Sequence, residues 1–292
     1  MYSDRTNEIQ VAPSGNFFGQ YLELACDSYQ LNPGGVAGEG ACADLGLDPD
    51  QTVGVYVGKR NVEGGPRNQT YTDTSYRVVA GVQGAINDNW SYDLSLLYGQ
   101  TDSTAIGRND FISDRVTAAM LSCTAATAND PTCYNVWVPG GVTVEAAAAL
   151  AGTSTGIIST GITSVTGYVQ GDTGFGWVDG NNITMAAGFD WLKQTYNSDY
   201  DSISQAGGFA GAGGPSLPLN GSIEVTEFFM EANVPVLGEM GFLDSLALDL
   251  GYRYSDYNLS GPENTYKIAM IGKMGWASFT GGYNRAIRAP NL

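Results

Sequence analysis

Histidine is absent from the 292-residue chain. Its absence removes the usual general base, the commonest side-chain metal ligand and every mechanism in which histidine activates a serine or cysteine nucleophile. The string Gly152-Thr-Ser-Thr-Gly156 has the spacing of a serine nucleophile turn, but that chemistry requires a histidine base. We therefore interpret this string as loop sequence, and we expect no catalytic residues.

Basic side chains are also scarce. Thirteen Lys and Arg residues stand against 30 Asp and Glu residues, which gives a formal net charge of −17. A surface that neutralises phosphates needs clustered positive charge, so nucleic acid is excluded as a partner. Glycine is abundant, with 40 residues, and tyrosine (17) outnumbers phenylalanine (10). This balance is typical of a β-rich protein.

The chain also lacks long hydrophobic runs. Residues 1–5 are polar and do not resemble a secretory leader. The longest uncharged stretch, residues 146–171, is interrupted by Gly, Ser and Thr and holds no run of about 18 apolar residues. We therefore predict no transmembrane helix, and any membrane must be crossed by strands.

The four cysteines form two close pairs, Cys26 with Cys42 and Cys123 with Cys133. Neither spacing matches a zinc site, and no histidine is present to complete one. We interpret both pairs as disulfides that pin loops in an oxidising compartment, with free thiols as the alternative.

Three other motifs lack the residues that their chemistry requires. Gly207–Gly214 is rich in glycine but has no Lys-Ser/Thr ending of a phosphate-binding loop, so we interpret it as a flexible outer loop. Asp48-Pro-Asp50 and Asp199-Tyr-Asp201 offer oxygen ligands, but neither forms part of a calcium-binding loop. We interpret these acids as solvated loop residues and expect neither a metal nor a cofactor.

Strict alternation of apolar and polar residues is the clearest pattern. From Trp90 to Tyr98 every second residue is aromatic or aliphatic, with the aromatic residues at both ends, and Leu246–Tyr254 repeats the pattern. Such rows are typical of lipid-facing strands with aromatic girdles. Weaker rows begin at Tyr76, Ile183, Phe228, Tyr266 and Ala277, and residues 2–11 and 157–171 are further candidate strands.

The connections between these strands alternate between short and long, as in an outer-membrane barrel. The exception is Asn258–Asn264, which is short although it falls on the side of the long loops. We therefore predict an all-β fold, a membrane-spanning antiparallel β-barrel of which residues 1–292 supply about nine strands. Extracellular loop regions are predicted at 12–70, which includes Thr52–Lys59, and at 102–156, which carries a short helix at 146–150. A soluble β-sandwich or solenoid also alternates and remains the alternative.

Charged residues occur opposite the apolar rows, where a barrel has its lumen. We expect them to form ion pairs along the barrel wall, with contact to a plug or a permeating ligand as the alternative. These lumen-facing candidates are Arg77, Asp93, Glu227, Glu231, Asp249 and Arg253.

Several stretches resemble the barrel of TonB-dependent outer-membrane receptors and follow one another in the family's order over nearly the whole chain. The most specific are Arg253-Tyr254-Ser-Asp256-Tyr257 and Tyr283-Asn-Arg285-Ala-Ile-Arg288-Ala-Pro290-Asn291, and shorter ones are Ile9–Gly15, Arg60–Arg67, Gly211–Pro215 and Val225–Glu227.

This resemblance implies energy-coupled uptake of a scarce or large nutrient across the outer membrane of a Gram-negative bacterium. The implied partners are outer-membrane lipid, the TonB complex acting through a plug domain, and a ligand of the siderophore, cobalamin, oligosaccharide or peptide class. The family's full barrel has about 22 strands around a plug. We therefore expect a fragment without plug or TonB box, which supplies only wall and loops. The alternatives are a secreted soluble β-rich carbohydrate-binding or adhesive module and a passive porin-like channel.

Overall fold

The computed structural model describes residues 1–15, 21–36, 38–124, 126–127, 130, 133–136, 141–212 and 214–288. The strands are β1 (Tyr2–Val11), β2 (Tyr21–Ala25), β3 (Thr52–Tyr56), β4 (Arg67–Ala85), β5 (Trp90–Phe111), β6 (Ala151–Asp172), β7 (Thr184–Tyr200), β8 (Leu219–Leu237), β9 (Ser245–Tyr257), β10 (Gly261–Met274) and β11 (Ala277–Arg285). The helices are α1 (Ala41–Asp44), α2 (Ser113–Leu121), α3 (Val144–Leu150) and α4 (Ser202–Ala206), and Val62–Gly64 is a single 3₁₀ turn.

Nine of these strands form one antiparallel sheet in the order β1-β4-β5-β6-β7-β8-β9-β10-β11. The predicted antiparallel all-β architecture is confirmed. Strands β2 and β3 pair only with each other, so Thr52–Tyr56 lies outside the main sheet, as the sequence predicts. The sheet is open, with β1 and β11 as its two edges, and it is not closed into a barrel.

The strand register places the predicted apolar rows on one face of this sheet. Phe228 of β8, for example, lies opposite Phe189 of β7 and Tyr254 of β9. We call this surface the apolar face, and the opposite surface the inner face. Val78, Phe228 and Ile268 on the apolar face are 60%, 57% and 53% exposed. Within the described residues, large apolar side chains of this face are therefore left exposed.

The buried hydrophobic cluster lies at one end of the sheet, in the loops. We call the described residues of 12–66 and 112–150 the cap. Leu24, Val116, Met120 and Tyr134 of the cap are each at most 2% exposed and pack together with Phe111 at the end of β5. The two predicted loop regions thus form one packed layer.

Strands β5 and β6 are longer than the sequence predicts. We expected the excursion to begin after Thr101 and to end at Gly156, but β5 continues to Phe111 and β6 begins at Ala151. The physical reason is polar pairing, since these segments are held by backbone bonds and by contacts such as Ser103 Oγ to Asp73 Oδ1 at 2.5 Å. Polar residues on both faces leave no apolar alternation to detect.

The short helix predicted at 146–150 is confirmed as α3. Its first turn is capped by the Thr143 side chain, which accepts a hydrogen bond from the Ala146 N–H at 3.0 Å. Each helix in the described part of the chain is too short or too polar to cross a membrane.

Candidate functional site

All six predicted lumen-facing residues lie on the inner face of the sheet, in phase with one another across the strand register. Two of them, Arg253 and Glu227, form an ion pair at 2.8 Å. Asp249 pairs with Lys267 of β10. Within the described residues, Arg77 and Asp93 have no ion-pair partner. The structure therefore brings half of the predicted set into charge pairs.

Arg253 bridges two acids on neighbouring strands. Asp190 of β7 and Glu227 of β8 lie directly opposite each other, an arrangement in which like charges repel. The Arg253 guanidinium lies 3.5 Å from Asp190 and stacks over the ring of Phe229 at 5.1 Å. Glu227 also accepts a hydrogen bond from Ser255 Oγ at 2.5 Å. These contacts join β7, β8 and β9 through one cluster of paired charges.

A second feature of the inner face is a cleft of about 440 Å³ directly below the cap. Two tyrosines face each other across it, because Tyr71 of β4, Ala105 of β5, Gly156 of β6 and Tyr200 of β7 occupy one register row. The three strand steps from β4 to β7 correspond to about 14 Å at roughly 4.8 Å each. Small residues between the tyrosines leave room for a ligand-sized group. We name this space the cap cleft.

The upper rim of the cap cleft is held by Asp110. A bulge at Asn109, a non-glycine residue with φ of 63°, shifts the register so that Asp110 lies opposite Gly152. Asp110 accepts hydrogen bonds from Ser14 Oγ at 2.6 Å and from the Gly211 N–H at 3.1 Å, and it pairs with Arg67 at 3.3 Å. Bulges commonly re-aim side chains in this way. Alternation alone assigns Asp110 to the other face.

The Gly207–Gly214 segment, predicted as a flexible outer loop, is fastened to the end of β5 over its described residues. The Ala210 N–H donates to Phe111 O at 2.8 Å, and Gly208 O accepts from the Ser113 N–H at 2.8 Å. Gly207 itself ends helix α4 with φ of 71°, a conformation that glycine adopts without strain. The segment forms one wall of the cap cleft.

Asp201, interpreted above as a solvated acid, caps helix α4. Burial raises its pKa, but hydrogen bonds from the N–H groups of Thr155, Ser204 and Ile203 and from Ser204 Oγ outweigh burial and hold the pKa of Asp201 below its ordinary value. The Thr155 N–H donates to Oδ2 at 2.7 Å, and the Ile203 N–H donates to Oδ1 at 3.0 Å. The carboxylate thereby ties the loop after β7 to β6.

Other motifs differ from their sequence interpretation or have no ligand role. Gly152–Gly156, expected to be loop, is strand within β6. The described residues hold no cluster of three or more acidic or cysteine side chains able to bind a metal, and Asp48 and Asp50 are exposed. The structure joins Cys26 to Cys42 and Cys123 to Cys133, with Cα separations of 5.6 and 4.6 Å.

The most specific residues of the family resemblance lie in β9 and in and after β11. Tyr254 and Asp256 lie on the apolar face, and Tyr257 ends β9. Arg285 pairs with Glu263 at 3.2 Å, and Arg288 is exposed. Pro290 and Asn291 lie outside the described residues.

No sequence pattern singles out Asp110, Tyr71 or Tyr200 as part of a site. Tyr71 and Tyr200 belong to rows without strong alternation, and only the strand pairing brings them opposite each other. Comparison of the chain with protein-family models, with curated proteins and with solved structures finds no match.

Proposed function

We propose that this protein is a section of the wall and outer loops of a β-barrel receptor of the TonB-dependent type. The observation that carries the proposal is the apolar face, which extends across the sheet with no second layer of described residues packed on it. A soluble sheet covers such a face with another layer of protein. A bilayer covers it with acyl chains.

The two ends of the sheet support an orientation in that membrane. At one end, strands are joined by short connections such as residues 86–89 and 275–276. At the other end lie the cap and the loop after β7. Outer-membrane barrels have short periplasmic turns and long extracellular loops. The proposal therefore places the cap outside the cell.

The open edges of the sheet add a requirement for further strands. Unpaired backbone groups on β1 and β11 are costly in hydrocarbon, because no water is present to bond them. In the proposed receptor, further strands close the barrel and a plug fills its lumen against the inner face. The TonB complex then acts on that plug to drive uptake of a scarce or large nutrient, with the cap making first contact.

Membrane fractionation tests the location. The full chain, produced in a Gram-negative host with the remaining barrel supplied, is expected to sediment with the outer membrane and to need detergent for extraction. Washing with alkaline carbonate is expected to leave it in the pellet, since lipid contact with the apolar face is not electrostatic. Recovery of a monomeric protein without detergent supports instead a secreted carbohydrate-binding or adhesive module, and would contradict the proposal.

Energy coupling is tested in the same cells by removing TonB. Accumulation of the nutrient inside the cell is expected to stop, while binding at the cell surface remains. Equal accumulation with and without TonB identifies a passive channel instead.

A further inference from the structure

The cap cleft has no free charge to offer a ligand. Of the residues that line it, only Arg67 and Asp110 are charged, and they pair with each other at 3.3 Å with side-chain exposures of 19% and 13%. Arg67 also donates from Nε to Ala12 O and from Nη1 to Gly211 O, both at 2.9 Å. A charged ligand placed here finds no uncommitted counter-charge, which disfavours anions and cations alike.

Hydroxyl groups, by contrast, are free in the cleft. Within the described residues, the side-chain oxygens of Tyr200, Ser154 and Ser216 have no hydrogen-bond partner, although all three residues line the cleft. A hydroxyl both donates and accepts. These groups therefore complement a ligand that itself carries many hydroxyls.

An aromatic platform lies beside these hydroxyls. The ring of Tyr200 lies over Gly156, where an added Cβ would stand 3.0 Å from the ring carbons. The glycine therefore permits the ring to lie close to the sheet. Across the cleft, the Tyr71 hydroxyl donates to Gln69 Oε1 at 2.5 Å, which fixes the second ring and orients the Gln69 amide.

From this arrangement we propose that the cap cleft binds a neutral oligosaccharide. Sugar rings present apolar C–H faces that pack on aromatic rings and hydroxyl edges that pair with hydroxyl and amide groups. The paired Arg67 and Asp110 close the upper rim without adding net charge. This inference rests on the proposed receptor function, because it assigns the cleft to the nutrient that the receptor takes up.

Titration calorimetry on the full chain in detergent micelles, with the remaining barrel supplied, tests the assignment. The neutral probes are maltohexaose, cellohexaose and xylohexaose. The charged probes of matched length are hexagalacturonate, which is anionic, and the chitosan hexamer, which is cationic. At least one neutral probe is expected to bind at least about tenfold more tightly than either charged probe.

Variants locate the binding in the cleft. Tyr200→Ala and Gly156→Ala are each expected to weaken the neutral probe about tenfold, because one removes the ring and the other displaces it. Tyr200→Phe keeps the ring and is expected to lose less affinity for the neutral probe than Tyr200→Ala does. Tyr168→Ala and Gly251→Ala are the matched controls: both positions lie on the inner face outside the cleft, and an added Cβ at Gly251 meets only ordinary contacts.

The inference is overturned if no neutral probe binds, if a charged probe binds more tightly, or if the Tyr200 and Gly156 variants bind like the controls. Each of these results leaves the receptor proposal standing when the protein fractionates with the outer membrane. Conversely, if the protein is soluble and binds a neutral probe through Tyr200, the receptor proposal is contradicted and the saccharide site is supported.

Discussion

At the scale of single residues, Asp201 shows how one carboxylate organises the loop after β7. Its oxygens accept four hydrogen bonds, including Ser204 N–H to Oδ1 at 2.9 Å and Ser204 Oγ to Oδ2 at 2.7 Å. These bonds favour the ionised form, so the pKa of Asp201 in the folded protein lies below its ordinary value of 3.8. The contribution of Asp201 to stability is therefore complete above the ordinary value and is lost as pH falls through the lowered pKa.

We predict that acidification loosens the loop at residues 201–218. Backbone hydrogen exchange, corrected for intrinsic rates, is expected to show less protection of this loop at pH 3 than at pH 6. Asp201→Asn keeps a capping oxygen but cannot titrate, so its protection in this loop is expected to be nearly independent of pH. Asp199→Asn, at an exposed neighbouring position, serves as the control and is expected to respond like the unmodified protein. If Asp201→Asn shows the same pH response as the unmodified protein, the titration of Asp201 does not control this loop.

Part of this local structure could be predicted from the sequence. An Asp before Ser-Ile-Ser-Gln-Ala with Gly207 after it is a helix with a capping residue at each end. The bond from the Thr155 N–H could not be predicted, because Thr155 lies 46 positions away in the chain. The position of Asp110 could not be predicted either. Alternation assigns it to the apolar face, but the bulge at Asn109 places it on the inner face.

At the scale of elements, the cap is a packed layer with its own apolar core. Helix α2 contributes Val116 and Met120, which are 0% and 1% exposed, while Leu121 is 57% exposed. Gln30 links the two loop regions, because its Nε2 donates to Tyr134 O at 3.0 Å. The disulfide Cys26–Cys42 lies in one region and Cys123–Cys133 in the other. The two regions are therefore expected to unfold together.

Adjacent residues of α2 provide a matched test of this core. Met120→Ala is expected to destabilise the cap by about 2–5 kcal/mol, because it removes buried methylene and sulfur contacts and leaves a cavity. Leu121→Ala is expected to cost less than about 0.5 kcal/mol. Limited proteolysis of the cap, followed with increasing urea, measures both changes. Equal sensitivity of the two variants would show that the cap core is not formed.

The main strands could be predicted from alternation where one face is apolar. That condition holds for the rows around Leu94 and Leu250, and both fall within the observed strands. It fails at residues 102–111 and 151–156, where polar residues and glycines occupy both faces. Alternation cannot predict the cap cleft either. Tyr71 and Tyr200 face each other across the sheet only because of three successive strand pairings.

At the scale of the whole molecule, the two faces of the sheet have opposite character. The apolar face carries aliphatic and aromatic rows, while the inner face carries charge pairs such as Arg253–Glu227 and the cap cleft. This division is the one expected of the proposed receptor, with lipid against one face and a lumen against the other. Of the ion pairs within this sheet, Arg253–Glu227 and Lys267–Asp249 lie on the inner face, whereas Lys193–Glu224 lies on the apolar face.

Two adjacent leucines of β5 test the central claim that the apolar face contacts lipid. Leu96 lies on the apolar face and is 47% exposed, whereas Leu97 lies on the inner face and is half-buried. The measurement is the free energy of unfolding in lipid vesicles, by urea titration, with the remaining barrel supplied. We predict that Leu96→Arg lowers the free energy of unfolding by about 2 kcal/mol or more and that Leu97→Arg lowers it much less. In a soluble sheet the more exposed Leu96 accepts arginine more readily, so the reverse order would contradict the account.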